Sequence, residues 1–309
     1  MTPRWDVAGF GAVSVDDLLY VDHHPLPDSK AMVGARSRQG GGLTGTALVA
    51  AARFGARAAY WGVLGHDELS AYTIREFERE GVDCSAIERR DEARPIHAIV
   101  IVDQSTGGRS ILASLEGVFA PDPERIAALV PEVRVLFLDH FHPEVGLRAA
   151  LTARQRGIPI VGDIEFVREP TVREVVDLID HLIVSQALAR ELTGKAEPAA
   201  MVEALMTAKR TCAVVTAGEH GCWYATAPSA VHHVPALQVD VVDTTGCGDV
   251  FHGVYAACLA QGIPIDLAIR MATVAAGLKA TRPGGRSGIP DRPTIERALH
   301  RLGETVAVW

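Results

Sequence analysis

Short apolar segments alternate with segments of helical periodicity along most of the chain. Seven apolar runs predict strands, at Val7–Gly11, Ala58–Leu64, Ile96–Val102, Val135–Leu138, Ile158–Gly162, His181–Val184 and Ala213–Thr216. Between them, seven segments predict helices, at Gly45–Phe54, Asp67–Glu80, Pro123–Leu129, Pro143–Arg156, Thr171–Leu178, Ala187–Thr193 and Ala199–Ala208. Several strands lack polar alternation, as strands buried on both faces do. This βαβα order predicts an α/β fold of three layers, in which helices cover both faces of a mainly parallel twisted sheet.

Two segments interrupt the βαβα order. Residues 18–38 carry Pro25, Pro27 and Gly34 between short β-prone pieces, and residues 94–115 alternate like an antiparallel ribbon. Neither segment has the composition of a linker. We therefore expect a single domain over residues 1–309, with a small β-sheet lid formed jointly by the two segments. An exposed edge of this lid would allow pairing with a second copy of the chain as a homodimer.

Composition narrows the choice of partners. The chain has 309 residues, and 38 acidic against 30 basic side chains give it a formal net charge of −8, which disfavours nucleic acid as a partner. Apolar stretches are interrupted before they reach about 18 residues, so we expect no membrane span. Residues 1–6 lack the pattern of a signal segment. The five cysteines form no CxxC pair, which is typical of reduced thiols in a cytoplasmic protein.

The most informative segment runs from Val239 to Gly262. An apolar run ends at Asp243, a turn of small residues follows, and a helix is predicted to open at Asp249. A glycine-bracketed turn before a helix presents unpaired N–H groups and the positive end of the helix dipole. Such a turn is suited to bind phosphate oxygens.

Asp249 has two interpretations on this pattern alone. As a helix N-cap it would contribute about 1 kcal/mol to stability. As a general base it would take the proton from a hydroxyl that attacks a phosphoryl group, while the amides of Gly246, Cys247 and Gly248 hold that group.

The string D-T-T-G-C-G-D-V-F resembles the C-terminal motif of the ribokinase-like (PfkB) carbohydrate kinases, usually D-T-x-G-A-G-D-x-F. The segment Gly41–Gly55 is similar to the family's sugar-side G-G-x-x-x-N-x-A-x-x-x-A-R-L-G motif. Further matches are Gly62–Asp67, Leu192–Gly194 and Thr216–Gly221. The resemblance runs from Asp6 to about Leu302. It is closest to the sulfofructose kinase-like branch in Val239–Gly253 and Lys279–Asp291.

The resemblance implies a ribokinase-like fold and ATP-dependent phosphorylation of a sugar hydroxyl, with Asp249 as the base and Gly246, Cys247 and Gly248 as the anion hole. The candidate sugar-binding residues are Asp16, Lys30, Gly41, Gly42, Thr46 and His140. The candidate ATP-binding residues are Thr216, Gly218, Gly221, Thr245, Gly277, Arg282 and Gly284. Mg²⁺ is the expected companion of ATP. The resemblance also implies a monovalent cation such as K⁺ beside Asp243.

Three departures from the family pattern bear on these expectations. Thr46 replaces the family's asparagine, and the N-x-x-E motif is absent at Ser185–Leu188. Asp163, together with Glu165, follows a predicted strand, and these carboxylates either help to hold Mg²⁺ or only cap the sheet end. Gly288 stands where the cation loop usually has a serine.

The sequence does not identify the sugar, and it gives only a partial expectation for the environment of Arg286. The loop after Leu138 offers His140 and His142, which are mostly neutral at cytosolic pH, so we assign no sulfonated sugar. Arg286 is expected to be in part a solvated arginine of a C-terminal turn.

Two other functions stay open. The altered motifs favour a non-catalytic sugar- or nucleotide-binding protein on a kinase scaffold, although retention of Asp249 disfavours it. Gly9–Ser14 approximates the G-x-G-x-x-G fingerprint of an NAD-dependent oxidoreductase. However, Val13–Val21 alternates like a strand, and the expected acidic residue after a second strand is absent.

Overall fold

A computed structural model describes residues 3–106, 108–226 and 230–303; the remaining residues of the predicted 1–309 domain lie outside this description. Its strands are β1 Trp5–Phe10, β2 Ser14–Val21, β3 Ala35–Gly41, β4 Ala58–Tyr60, β5 Val63–Leu64, β6 Glu88–Arg89, β7 Ile96–Asp103, β8 Arg109–Ser114, β9 Val133–Asp139, β10 Ile160–Asp163, β11 His181–Ser185, β12 Cys212–Thr216, β13 Cys222–Ala225 and β14 His232–Val234. Its helices are α1 Leu43–Phe54, α2 Glu68–Arg79, α3 Pro123–Leu129, α4 Pro143–Arg156, α5 Pro170–Leu178, α6 Gln186–Thr193, α7 Pro198–Leu205, α8 Cys247–Ala260, α9 Ile265–Ala280 and α10 Arg292–Arg301.

The main sheet has the order β14-β13-β12-β11-β10-β9-β1-β4. The strands from β12 to β4 in this order pair in parallel, and β13 and β14 add an antiparallel edge. The predicted mainly parallel sheet is therefore confirmed. The carboxyl ends of the parallel strands meet at one edge, where ligands bind in open α/β sheets.

Two apolar cores explain why the parallel strands show no polar alternation. On β9, Val135 and Phe137 belong to the core under α1, α8 and α9, whereas Leu136 and Leu138 belong to the core under α4 to α7. Successive side chains of a strand point to opposite faces, so both must be apolar when helices cover both faces. The three-layer prediction is confirmed.

A second sheet of four strands has the order β3-β2-β7-β8. Its strands come from the two segments that interrupt the βαβα order, and we refer to this sheet as the lid. β2 and β7 pair in parallel, whereas β3 and β8 pair antiparallel at the two edges. On the edge strand β8, Ile111 and Leu112 are 58% and 60% exposed. Homodimerisation through such an edge stays a prediction.

Helices α1 and α8, which carry the motifs predicted for sugar and phosphate, pack closely against each other. Gly253 of α8 makes this approach possible, because a Cβ there would lie 2.0 Å from the backbone oxygen of Ala47 in α1. The two motifs are therefore held side by side by a backbone contact that tolerates only glycine.

Some boundaries differ from the predictions. The segment Ala58–Leu64 forms two short strands in different sheets, β4 and β5, because the chain turns at Trp61 and Gly62. Helix α8 begins at Cys247, two residues before the predicted start at Asp249. The pattern did not predict β13, β14 or α10. Among the described residues, no helix is long and apolar enough to cross a membrane.

Candidate active site

The turn before α8 presents free backbone amides. Gly246 is the N-cap with φ 76°, a conformation that favours glycine, and a Cβ there would lie 2.7 Å from the Gly285 oxygen. The N–H of Cys247 donates to the Thr244 oxygen at 3.2 Å. The N–H groups of Gly248 and Asp249 lie in the first helical turn and find no acceptor among the described residues. A Cβ on Gly248 would meet no atom within 4 Å, so the helix start is open beside this residue.

Asp249 is not the N-cap of α8. It is the third residue of the helix, and the cap at Gly246 involves no side-chain hydrogen bond, so the N-cap interpretation is wrong. The carboxylate is half-buried and accepts no hydrogen bond from the described residues. Burial raises its pKa and the neighbouring Asp163 raises it further, while His252 and Arg286 oppose the shift. The carboxylate of Asp249 is thus made more basic by its surroundings.

His252, one helical turn after Gly248, fixes the start of α8. Its Nδ1 lies 2.8 Å from the Gly248 oxygen and its Nε2 lies 3.1 Å from the Ile183 oxygen on β11. The buried Asp163 Oδ2 is 3.4 Å from Nδ1. Burial lowers the pKa of His252, and the two carbonyl contacts act in the opposite direction. The His252 ring therefore connects the start of α8 to strand β11 of the main sheet.

Asp16 lies on the lid strand β2, above the start of α1. Its Oδ1 accepts a 2.7 Å hydrogen bond from the Ser14 hydroxyl. A Cβ on Gly41 would lie 2.3 Å from Asp16 Oδ2, and one on Gly42, where φ is 82°, would lie 2.5 Å from the Ala12 oxygen. The two predicted glycines therefore let the carboxylate sit against the backbone at the β3–α1 junction.

Arg286 is buried, contrary to the expectation of a partly solvated turn residue. Its Nη2 donates to the Gly41 oxygen at 2.6 Å, and its Nε lies 3.4 Å from the Thr46 hydroxyl. The Nη1 atom is buried without a partner among the described residues. Burial lowers its pKa to about 10, so it stays charged near neutral pH and favours ionised Asp16 and Asp249.

The space for this guanidinium comes from two glycines. A Cβ on Gly40 would lie 2.2 Å from Arg286 Nη1, and one on Gly45 would lie 2.5 Å from Nη2. The sequence signal that could have revealed the buried arginine is this pair of glycines shortly before Thr46. The threonine that replaces the family's asparagine at position 46 therefore lies beside the buried guanidinium.

The other sugar-side candidates differ in their placement. His140 is buried, and its ring centroid lies 4.0 Å from that of Phe166 with the two rings tilted by 53°. The Glu165 N–H points to His140 Nδ1 at 3.5 Å. Burial lowers the pKa of His140 to about 4, so the ring is neutral and its Nε2 has no partner among the described residues. Lys30 is exposed in the β2–β3 connection, where no contact with the described residues ties it to the cleft.

The predicted nucleotide residues lie in two loops and one helix. Thr216 ends β12, and Gly218 and Gly221 shape the following turn with φ 56° and 82°. Arg282 is exposed on the loop after α9. Gly277 packs against the 235–238 connection, where a Cβ would lie 2.7 Å from Leu237 Cβ. Close packing against Leu237 therefore explains the glycine at position 277.

Lid side chains reach the turn before α8 and the loop after α9. Arg109 on β8 donates to Asp243 Oδ1 at 2.6 Å and to the Thr245 hydroxyl. Gln39 on β3 accepts the Gly285 N–H at 3.1 Å. Sequence reasoning missed both contacts, because a polar residue on an edge strand carries no sign of what it faces.

The residues at the two expected cation positions fit Mg²⁺ but do not fit the implied monovalent cation. The Asp163 Oδ2 atom is buried without a hydrogen bond, and Mg²⁺ is commonly held by one or two carboxylates plus substrate phosphates, so Asp163 fits a Mg²⁺ that arrives with ATP. Among the described residues, no cluster of three or more His, Cys, Asp or Glu could hold a metal alone. The surroundings of Asp243 do not fit K⁺, since Lys279 Nζ already donates to its backbone oxygen at 2.8 Å.

The sequence model of the pfkB family carbohydrate kinases matches residues 6–292. The chain belongs to this family. A putative ribokinase from Agrobacterium tumefaciens is 31% identical, with a TM-score of 0.86 over 97% of this chain and 99% of that one.

Two further relatives extend the comparison of this PfkB-family chain. The ribokinase of Arabidopsis thaliana complexed with ribose and ATP shares the fold, with a TM-score of 0.84 over 97% of this chain and 99% of that one at 21% identity. A bifunctional ribokinase/ribose-5-phosphate isomerase A from Fructilactobacillus sanfranciscensis is 26% identical over 94% of this chain. The chain spans 55% of the length of that bifunctional protein.

Proposed function

We propose that this chain is an ATP-dependent sugar kinase, which transfers the γ-phosphate of Mg-ATP to a hydroxyl of a sugar or sugar derivative. The observation that carries the proposal is the position of the Asp249 carboxylate. It is half-buried, free of hydrogen bonds from the described residues, and one residue from Gly248, whose amide is unpaired among the described residues and whose Cα side is open. A base and an anion hole side by side are what phosphoryl transfer to a hydroxyl requires.

In this proposal each part of the cleft has a defined task. Asp16, with Gly41 and Gly42, binds sugar hydroxyls, and Asp249 takes the proton of the hydroxyl that attacks. The sequence predicted the amides of Gly246, Cys247 and Gly248 as the anion hole. Because the Cys247 N–H already donates to the Thr244 oxygen, we propose instead that the amides of Gly248 and Asp249 receive the charge that develops on the transferred phosphoryl group. His252 holds those amides in place through the Gly248 oxygen.

Arg286 contributes as a positioning residue. Its charge favours the ionised forms of Asp16 and Asp249, and the ionised form of Asp249 is the one that accepts a proton. The guanidinium also donates a hydrogen bond to the Gly41 oxygen. The same side chain therefore orients the backbone of the proposed sugar site and lowers the pKa of Asp249.

The nucleotide is proposed to lie along the Thr216–Gly221 turn and the loop after α9. Mg²⁺ would be held by Asp163 and the phosphates, and when bound it would neutralise phosphate charge. This arrangement takes the place of the family's N-x-x-E, which is absent at Ser185–Leu188. Burial raises the pKa of Asp163 well above its usual value, as does repulsion from Glu165 and Asp139. A bound cation would relieve that repulsion.

An NAD-dependent oxidoreductase is disfavoured by the segment after the glycine-rich Gly9–Ser14. That segment continues as the lid strand β2 instead of opening a helix that could bind a pyrophosphate. The non-catalytic alternative is disfavoured by Asp249, since a carboxylate with a raised pKa costs stability and a protein without turnover has no use for it.

The deciding experiment is a coupled ADP-release assay with a panel of ketoses, aldoses, nucleosides and sugar phosphates. We expect Mg-ATP-dependent turnover with at least one sugar. Thermal melts with Mg-ATP and with NAD, each with and without the sugars, provide a readout that does not need turnover. Stabilisation by NAD without stabilisation by Mg-ATP would refute the kinase. Stabilisation by Mg-ATP with no turnover on any sugar would favour the non-catalytic alternative.

A further inference from the structure

Lys279, in the last turn of α9, is a completely buried lysine, with 0% of its surface exposed. Its Nζ donates a 2.8 Å hydrogen bond to the backbone oxygen of Asp243, the residue at which the phosphate-binding motif begins. An ammonium group is retained in such a place only when oxygen atoms and negative charge compensate for the lost water. The negative charges around it are those of Asp243 and Asp249.

The side-chain oxygens of Asp243 are occupied as well. Oδ1 accepts from the Thr245 N–H at 2.8 Å, from the Thr245 hydroxyl at 2.6 Å and from Arg109. Oδ2 accepts from the Gly284 N–H at 2.8 Å. Every oxygen that Asp243 could offer to a metal cation, main chain and side chain, is already hydrogen-bonded to a donor of this chain.

The loop after α9 has Gly288 where the resemblance implies a serine ligand, and the path of the loop excludes a side chain there. A Cβ on Gly288 would lie 2.7 Å from the Lys279 oxygen and 2.8 Å from Arg282 Cβ. Real Cβ atoms do not approach backbone oxygens so closely. A serine at this position would therefore force the loop to move.

We propose that the ammonium group of Lys279 takes the place of the monovalent cation implied by the family resemblance, so that this chain works without K⁺. The inference rests on the proposed kinase activity. A lysine ammonium and K⁺ are both monovalent cations that bind carbonyl oxygens, and the ammonium is covalently attached to α9. Its charge orders the Asp243–Gly246 turn permanently. A second cation on the same carbonyl would be repelled by the first.

The primary test is the K⁺ dependence of the wild-type protein. Turnover, Mg-ATP affinity and melting temperature are measured in tetramethylammonium buffer and again at about 0.1 M K⁺ with constant ionic strength. We expect less than a twofold change in rate and no shift in melting temperature. Stimulation of turnover by K⁺ of several-fold or more would overturn the proposal.

Two variants test the replacement directly. Lys279→Ala leaves space for a cation, whereas Lys279→Met fills the space without a charge. Without K⁺ we expect both to lose about 10- to 100-fold in rate, the effect of one hydrogen bond to a charged group. K⁺ or NH₄⁺ should restore Lys279→Ala and leave Lys279→Met unchanged. The control Lys209→Met removes an exposed lysine and should behave as the wild type.

The outcomes separate this inference from the proposed function. If Lys279→Ala loses activity and neither K⁺ nor NH₄⁺ restores it, Lys279 is only structural and the replacement is refuted. If the wild type turns over no sugar, the kinase proposal fails. The inference is then decided by whether K⁺ raises the melting temperature of Lys279→Ala but not that of Lys279→Met or the wild type.

Discussion

Asp249→Asn separates the chemistry of the site from its stability. The substitution keeps the size of the side chain and removes both the proton acceptor and the negative charge. Loss of a general base lowers a rate by about 10²- to 10⁴-fold, which corresponds to about 3 to 5 kcal/mol in the barrier. Removal of the charge beside the free Gly248 amide should leave ATP binding equal or tighter. We therefore expect kcat to fall while the affinity for Mg-ATP does not.

The same substitution should stabilise the folded protein. The pKa of Asp249 is raised in the folded state by burial and by Asp163. At a pH below the unfolded value of 3.8 the carboxyl is protonated in both states and costs nothing. Above the raised pKa the carboxylate is ionised in the folded wild type, where burial and Asp163 disfavour the charge, and the free energy of unfolding is therefore lowered. Asp249→Asn should thus melt at a higher temperature than the wild type at about pH 8, and the difference should shrink as the pH falls towards 4.

The assay combines kcat from ADP release, Mg-ATP affinity by calorimetry, and thermal melts across pH. The matched control is Asp240→Asn, an exposed aspartate on the loop before the motif, which should change none of the three. An Asp249→Asn protein that retains more than about a tenth of the wild-type kcat would reject Asp249 as the base. A melting temperature that does not rise near pH 8 would refute the argument from burial.

Three further predictions concern the surroundings of the base. Arg286→Met should move the acidic limb of the pH–rate profile to higher pH, because the arginine lowers the pKa of Asp249; an unmoved limb would contradict this. Arg109→Met should raise the KM for the sugar by no more than about fivefold, since exposed ion pairs contribute at most about 1 kcal/mol; a larger loss would assign the arginine to binding. Gly253→Ala should destabilise the fold in urea by about 1–3 kcal/mol or more, because its Cβ would meet a backbone oxygen at 2.0 Å. The control Gly146→Ala, with its nearest contact at 3.5 Å, should not.

The sequence predicted those parts of the fold that rest on local pattern. Strands such as Val135–Leu138 were identifiable because burial on both faces leaves a continuous apolar run. The pattern does not predict the two antiparallel strands β13 and β14, because short segments beside turns carry little periodicity. The sequence predicts the start of α8 at Asp249 because an aspartate is a favoured cap, whereas Gly246 caps the helix through its backbone conformation alone.

The candidate site was predictable where a motif names its residues, and not where distant segments meet. Gly246, Gly248 and Asp249 lie within one short string, so the string alone indicates an anion turn. The burial of Arg286 depends on Gly40 and Gly45 leaving space for it, more than two hundred residues away in the chain. Such contacts are properties of the folded backbone, and no local pattern reports them.

The topology of the lid has a consequence for the order in which the protein folds. β2 and β7 pair in parallel along their whole length, although β3, β4, β5, β6, α1 and α2 lie between them in the chain. Closing so long a loop is entropically unfavourable before the main sheet has brought the ends together, so the lid should assemble late. Its own core is small, with Leu18, Ala98 and Val100 as its buried members. A late, weakly held unit should also open first, and its amides should exchange with solvent faster than those of β9 and β10.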